Sequence, residues 1–247
     1  MRYLEFGPSS ELGDIVACTW ERRVPAVDPP PATTVLPDGS VDLIWRGSEL
    51  LVAGPDQRPL SSPLQPGETV VGLRLRPGVA GALLGIPARE LRDLRLSLRE
   101  LWGHRGAELE ERLGLAAAPG QRRRLLEAAV RARRDRAESP DRLVVVATRV
   151  LGLPGARIGA LADSLGTSER QLLRRFDAAV GYGPKLLDRV LRFQRFLSLA
   201  PRLASGDEEL ARAAAGLGYA DQAHLSRECL GLSGLSPARL IAQRDSG

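Results

Sequence analysis

The sequence contains few of the residues from which disulfide frameworks and metal centres are built. Its 247 residues include two cysteines and two histidines. Cys18 and Cys229 lie far apart and form no C-x-x-C pair, so neither a disulfide framework nor a zinc site is expected. His104 and His224 stand alone, whereas a catalytic metal generally needs two or three histidines with a carboxylate. We therefore predict no metal, no cofactor and no catalytic residues.

Long hydrophobic segments are also missing. No stretch approaches the roughly 20 apolar residues that a membrane-spanning helix needs. The first residues, MRYLEFGPSSELGDIV, contain no apolar run typical of a signal peptide. Hydrophobic residues nevertheless make up 43% of the chain, which is enough to form hydrophobic cores. We expect a folded cytoplasmic protein without membrane contact.

The charges are divided unevenly between the two halves of the chain. Residues 1–120 carry 13 basic and 16 acidic residues, whereas residues 121–247 carry 22 basic and 14 acidic residues. The front half is therefore acidic and the back half basic. This division favours contact of the back half with a polyanion, although a basic solvated surface explains it equally well.

The hydrophobic pattern changes from β-like to helical along the chain. TTVLPDGSVDLIW has two β-like runs around a turn, and ELLVAGP and TVVGLRLRPG predict further strands. From Pro87 onward the spacing of apolar residues is helical, and an arginine-rich helix follows residue 118. Ser139 and Pro140 suit the next helix as its N-cap and first residue.

These patterns predict an α+β protein. We expect a small β-rich regulatory or dimerisation domain with following helices at 1–118 and an arginine-rich helical linker at 119–138. An all-α domain of two helix-turn-helix units joined by a long helix is expected at 139–247.

The first helix-turn-helix unit is predicted from ARIGALADSLGTSERQLLRRFDAAVG. Apolar residues recur at i, i+3, i+4 and i+7 from Ile158, which predicts one apolar helical face. Gly166 ends that helix, and Ser168 with Gln171 forms an S-x-x-Q capping box that starts the next. Two short helices around a tight turn make a helix-turn-helix unit.

A second unit with the same pattern is predicted from EELARAAAGLGYADQAHLSRECLGLSG. Here Gly218 ends the first helix, and Asp221 is placed to cap the second. The segment between the two units, GYGPKLLDRVLRFQRFLSLA, begins a helix at Pro184 and connects them.

The helix after Ser168 presents a basic face opposite its apolar one. At 100° per residue, Arg170, Leu173 and Arg174 turn away from the core, and Arg175 lies to their side. Arginine can bond guanine and an apolar side chain can contact a thymine methyl group, so this face suits a DNA groove. A solvated amphipathic face remains the alternative.

The helix after Asp221 turns Ala223, His224 and Arg227 outward, with Gln222 at the edge. We expect no His, Cys or carboxylate at i+4 to act as a metal ligand with His224, and the sequence places no nucleophile beside it. We therefore expect His224 to face DNA.

The segment from about Ser139 to Arg244 resembles the DNA-binding domain of AraC/XylS-family transcription regulators. The resemblance rests on ALADSLGTSERQLLRRFDAAVGYGPKLLDRVLRFQRFL and on AAAGLGYADQAHLSRECLGLSGLSPARL. It implies sequence-specific binding of double-stranded DNA, with the second helix of each unit in successive major-groove segments. The residues placed in the first segment are Arg170, Leu173 and Arg174, and those in the second are Gln222, Ala223, His224 and Arg227.

The front half resembles the N-terminal region of one group of these regulators, through LPDGSVDLIW and GLRLRPGVAGALLGIPARELRD. Such domains often sense a ligand or mediate dimerisation. RNA polymerase, a small-molecule effector and a second copy of the chain therefore stay open as partners.

Other functions compete with this interpretation. An architectural DNA-binding protein would show little sequence preference. A cupin-like enzyme, or a repair protein with Cys18 as methyl acceptor, would need ligand clusters that the sequence lacks. Asp38, Asp42 and Trp45 suit a ligand pocket, but a turn residue at Asp38 and a core residue at Trp45 are the simpler interpretation.

Overall fold

The computed structural model describes residues 1–27 and 33–245, and the side chains as far as Gln243. Residues 28–32 and 246–247, which fall within the first and last predicted domains, lie outside the described residues. The strands are β1 (Arg2–Phe6), β2 (Val16–Arg23), β3 (Thr33–Val35), β4 (Val41–Arg46), β5 (Glu49–Ala53), β6 (Leu60–Ser62), β7 (Thr69–Leu75) and β8 (Arg95–Ser97). The helices are α1 (Ala80–Leu84), α2 (Leu98–Trp102), α3 (His104–Leu115), α4 (Pro119–Arg134), α5 (Arg142–Val150), α6 (Ile158–Ser164), α7 (Glu169–Ala179), α8 (Pro184–Ala204), α9 (Leu210–Gly216), α10 (Gln222–Ser233) and α11 (Pro237–Asp245).

The front half is built on a six-stranded antiparallel sheet. Its strand order is β1-β2-β7-β4-β5-β8, and β3 pairs with β6 in a separate two-stranded ribbon. The alternation of side chains along β4 and β7 divides the sheet into two faces. One face carries Leu43, Trp45 and Leu73 into a hydrophobic core with the following helices, and Trp45 is therefore a core residue.

The helix α4 belongs to this front core. Its Leu126 and Val130 are fully buried together with Leu109 and Leu113 of α3. The segment predicted as an arginine-rich linker at 119–138 thus contains a helix that packs on the sheet. The reason is an apolar stripe between the arginines, which the charge of this segment obscures.

Two local expectations differ from the structure. The helix predicted to start at Ser139 and Pro140 starts at Arg142, because Asp141 is its N-cap and accepts bonds from the backbone N–H of Leu143 and Val144. In the helical-looking stretch after Pro87, residues Arg95–Ser97 form the strand β8, which pairs with β5. Pairing with β5 outweighs the helical spacing of the apolar residues in this stretch.

The back half is all-α, as predicted, and contains two hydrophobic cores. The first core joins α5, α6 and α7 around Phe176, and the second joins α9, α10 and α11 around Phe193 and Phe196 of α8. The long helix α8 contributes Leu187 to the first core and later residues to the second. It therefore links the two helix-turn-helix units. No helix of the described residues is long and apolar enough to cross a membrane.

The two halves contact each other beside α7. Arg92 donates to the carbonyl of Gly181 at 2.5 Å and forms an ion pair with Asp177 at 2.7 Å. Gly181 has φ +97°, and a Cβ there would lie 2.7 Å from Pro55 Cγ. Glycine is thus required at this position, since both the backbone angle and the space exclude a side chain.

Candidate nucleic-acid interface

The first helix-turn-helix unit has the local structure that its sequence predicts. Between α6 and α7 the chain turns at Gly166, which has φ +62°. Ser168 accepts a hydrogen bond from the backbone N–H of Gln171, and the Gln171 side chain accepts one from the N–H of Ser168. This capping box satisfies two backbone donors and fixes where α7 begins.

The outward face of α7 carries the residues that the sequence predicts for it. Leu172 and Phe176 are fully buried, whereas Arg170, Leu173 and Arg174 are exposed. Leu173 is 52% exposed and lies on this outward face rather than in the core. Within the described residues, neither Arg170 nor Arg174 has an ion-pair partner. This face offers two free guanidinium groups around an apolar side chain.

Arg175 has a different environment from its neighbours. Its Nη1 donates to Asp141 Oδ2 at 2.8 Å, and Asp141 at the same time caps the N-terminus of α5. The pair therefore ties α7 to α5 at the side of the unit. Arg175 can approach a phosphate only by leaving or sharing this carboxylate.

The second unit repeats the arrangement of the first. Gly218, with φ +81°, lies in the turn after α9, and Asp221 caps α10 through the backbone N–H of His224 at 2.6 Å. The residues Leu225, Cys229 and Leu232 are buried. The side chains predicted to face outward at the start of this helix, Gln222, Ala223 and Arg227, are exposed. Arg227 has no ion-pair partner within the described residues.

His224 is only partly available for contact. Its side chain is 32% exposed, and its ring meets Tyr219 edge-on with the ring centroids 5.3 Å apart. Its Nδ1 accepts a hydrogen bond from the backbone N–H of Ala220, which places the proton of the neutral ring on Nε2. The atom left for an external partner is therefore Nε2, which lies 4.0 Å from Glu228 Oε1.

A partly buried ion pair supports α10 from below. Glu228 is 9% exposed, and both of its carboxylate oxygens accept from the single Nε–H of Arg189 on α8, at 2.9 and 3.0 Å. Arg192, one turn further on, lies over the ring of Tyr219 at 4.9 Å. These contacts fix the position of α10 on the connecting helix. The spacing of residues in the sequence gives no indication of these contacts.

A basic groove lies beside α7, at the junction with the front half. It has a volume of about 930 Å³ and is lined by Arg174 and Arg175 of α7. Arg136 and Arg142, from the segment before α5 and its first turn, line the same groove. The sequence-based interface did not include these two, because only the fold brings them next to α7.

The described residues contain no group of three His, Cys, Asp or Glu side chains placed to hold a metal ion. Cys18 and Cys229 are both buried and unpaired. Burial raises the pKa of the Cys18 thiol from 9.0 to about 11, so it is neutral at physiological pH. A neutral thiol is a weak nucleophile, which disfavours a methyl-acceptor role.

Two family models match separate parts of the chain. Residues 161–243 match a helix-turn-helix domain, which confirms the predicted motif and the AraC-type resemblance of the back half. Residues 4–97 match a domain of unknown function, DUF6597. A search of curated proteins found no match.

Several solved structures of ToxT from Vibrio cholerae are similar to the chain. One from strain O395 is 12% identical, covers 91% of this chain and 96% of ToxT, and has a TM-score of 0.47. A second, at 1.65 Å resolution, is 11% identical over 98% of both chains, with a TM-score of 0.48. A third, bound to an unsaturated fatty acid, is 13% identical over 98% and 97%, with a TM-score of 0.45. Similarity at this level does not establish a shared ligand or activity.

Proposed function

We propose that this DNA-binding transcription regulator of the AraC family reads two successive major-groove segments, one with α7 and one with α10. The proposal rests on the exposure of three arginines and on their lack of ion-pair partners among the described residues. Arg170, Arg174 and Arg227 are exposed on the two second helices and have no ion-pair partner in the described residues. Many other arginines of the chain are held by carboxylates or carbonyls.

We propose that α7 and α10 contact the bases through different kinds of side chain. On α7, Arg170 and Arg174 bond base edges and Leu173 contacts a thymine methyl group. On α10, Arg227 and the Nε2 atom of His224 read bases. The neighbouring Gln222 and Ala223 complete that surface.

Phosphate contacts are proposed at the side of α7. Arg175 lies next to the base-reading face, and Arg136 and Arg142 continue the same basic groove. Contacts of this kind set the orientation of the protein on the duplex but read no sequence.

A selection from random duplexes tests the base-reading proposal. Wild type is expected to enrich one defined site, and the double variant Arg170→Ala, Arg174→Ala is expected to lose preference in one half of it. The matched control is Arg212→Ala, since Arg212 is exposed on α9, outside the recognition helices. If wild type enriches no site, the protein is the architectural alternative. If the double variant selects the same site as wild type, α7 does not read bases.

The front half is proposed to control the back half, either by sensing an effector or by mediating dimerisation. Residues 1–120 are acidic, and a cavity lies over the second face of the sheet. The front half also contacts the first helix-turn-helix unit through Arg92 and Asp177. RNA polymerase is the further partner that a transcription activator would need.

Sedimentation and a reporter assay test this control. The full chain is expected to differ from residues 139–244 in mass per DNA complex, in transcriptional output, or in both. Identical mass and output for the two proteins would refute a controlling role of the front half.

A further inference from the structure

A cavity of about 260 Å³ lies between the second face of the six-stranded sheet and the β3–β6 ribbon. Its floor is formed by side chains that alternate with the core residues of β2, β4 and β7. Trp20 lies flat on the sheet at Gly72, where a Cβ would come within 2.2 Å of the indole ring. Because Gly72 has no side chain, the Trp20 ring can lie there and form part of the cavity floor.

Four arginines line this cavity, and three of them are neutralised. Arg74 forms a two-pronged contact with Asp42 at 3.1 Å and also pairs with Asp38 at 3.2 Å. Arg95 contacts both oxygens of Asp56, and Arg46 contacts both oxygens of Glu68.

The carboxylates of the cavity are also satisfied. Asp38 accepts from the backbone N–H of Ser40 in addition to Arg74. Asp42 accepts from the indole N–H of Trp20 at 3.2 Å as well as from Arg74. The pocket residues that the sequence suggested, Asp38 and Asp42, are thus committed to an internal network, and neither has a free oxygen for a ligand.

Arg22 is the fourth arginine, and within the described residues it has no carboxylate partner. Its Nε is fully buried and makes no hydrogen bond. Its guanidinium carbon lies 5.3 Å from the centre of the Tyr3 ring. A cation–π contact offsets part of the cost of burial but satisfies none of the N–H donors. Burial also lowers the pKa of Arg22 from its ordinary value.

The wall beside Arg22 is apolar. Trp20, Leu64 and Val70 form a small hydrophobic cluster with the partly buried Ile44, and all four line the cavity. The lining thus combines this apolar wall with one polar group, Arg22, that has no carboxylate partner among the described residues, an arrangement that suits a small-molecule site. The charge of that polar group decides which molecules fit.

We propose that this cavity binds a small organic acid, whose anionic group bonds the free guanidinium of Arg22 and whose apolar body contacts Trp20, Ile44 and Leu64. The anion supplies the acceptor that Arg22 lacks, and a two-pronged guanidinium–carboxylate contact is among the stronger hydrogen-bonded pairs in proteins. This proposal rests on the proposed role of the front half as an effector-sensing unit, and it names the chemical class of the effector.

Calorimetric titration of the full chain with benzoate and with benzamide tests the proposal. The two probes have nearly the same shape and differ in charge. Benzoate is expected to bind the wild type at millimolar concentration, and benzamide at least about tenfold more weakly. Arg22→Gln is expected to weaken benzoate binding by about tenfold or more, and Arg22→Lys by less. The matched control, Arg58→Gln, removes an exposed arginine outside the cavity lining and should bind benzoate like the wild type.

Three results would overturn the proposal. They are no benzoate binding by the wild type, equal binding of benzamide, or unchanged benzoate binding in a folded Arg22→Gln protein. Because the comparison of the two probes uses the wild type, it remains decisive even if the variant does not fold.

A parallel DNA titration with and without benzoate separates this proposal from the proposed function. Arg22-dependent benzoate binding without a change in DNA affinity would support the ligand class and refute control by this cavity. Site-specific DNA binding by a protein that binds no benzoate would refute the ligand class alone.

Discussion

At the scale of single residues, the two arginines Arg227 and Arg175 differ in what holds them before DNA arrives. Arg227 is exposed and unpaired within the described residues, whereas Arg175 is bound to Asp141 at 2.8 Å. A free guanidinium on a recognition helix suits a base edge. One on the side of the unit, already shared with a carboxylate, suits the phosphate wall.

Replacement of Arg227 by alanine is expected to cost about 1–3 kcal/mol on the selected site and to relax preference at one or two positions. His224→Ala should relax preference in the same half-site, because it removes Nε2, the ring nitrogen that is available to bond a base. The measurement is a random-site selection with each variant. Unchanged preference in both variants would mean that α10 contacts only the DNA backbone.

Arg175→Ala is the matched comparison for these two variants. This substitution should weaken binding to all DNA sequences alike. It should also lower the slope of log affinity against log salt concentration by about one. A change in the selected site with Arg175→Ala would instead place this residue among the base contacts.

The two cysteines allow a prediction of pH dependence. Burial raises the pKa of Cys229 from 9.0 to about 12 and that of Cys18 from 9.0 to about 11. The folded protein keeps these protons at a pH where the unfolded chain releases them. Their contribution to stability is therefore complete below pH 9 and falls as the pH rises toward 12.

Native protein at pH 8 is therefore expected to react slowly with a thiol reagent and the unfolded chain quickly. The free energy of unfolding should fall less steeply above pH 9 in Cys229→Ala than in the wild type. Rapid labelling of both thiols in the native protein would contradict their burial.

Arg22 shows why part of the candidate site could not be predicted from the sequence. The strand CTWERR places Cys18, Trp20 and Arg22 on one face, and this alternation is visible in the sequence. What the sequence does not show is that the other three arginines of the cavity find carboxylates from distant strands and loops. That Arg22 has no carboxylate partner among the described residues becomes evident only when those pairs are known.

At the scale of helices and strands, several caps were predictable because they depend on neighbouring residues, although the cap of α5 was misplaced at Ser139 instead of Asp141. The capping box of α7, the cap of α10 and the start of α8 at Pro184 all lie where the sequence predicts them. The strand β8 was not predictable in this way, since three residues carry too little periodicity and its pairing partner is β5.

The capping box of α7 permits a direct test at this scale. Ser168→Ala removes the acceptor for the Gln171 backbone N–H and should lower the free energy of unfolding by about 0.5–2 kcal/mol. Urea unfolding measures this difference in free energy. The slope of the free energy of unfolding against urea concentration is expected to stay unchanged. The control is Ser198→Ala, because Ser198 is exposed on α8 and bonds only the carbonyl one turn before it. Equal stability of both variants would show that the capping box does not stabilise α7.

At the scale of the whole molecule, the back half has hydrophobic cores of its own. Its two cores consist of residues from α5 to α11, and the front half adds only the partly buried Leu36 to the second of them. The halves contact each other through Arg92 and through Gln194 with the Pro37 carbonyl. Val145 of α5 also packs on the front core, and Gly39 of the front half lies against the buried Leu187.

Residues 139–244 are therefore expected to fold and to bind DNA without the front half. This part of the chain carries 15 basic and 10 acidic residues, so the affinity should fall as salt rises, because bound phosphates release counterions. Circular dichroism checks the folding, and titration with duplex DNA at several salt concentrations checks the binding. A folded fragment whose DNA affinity does not depend on salt would exclude phosphate-led binding. A fragment that does not fold would mean that the contacts around Arg92 and Gly181 are part of the stability of the first helix-turn-helix unit, so that the front half supports the DNA-binding fold directly.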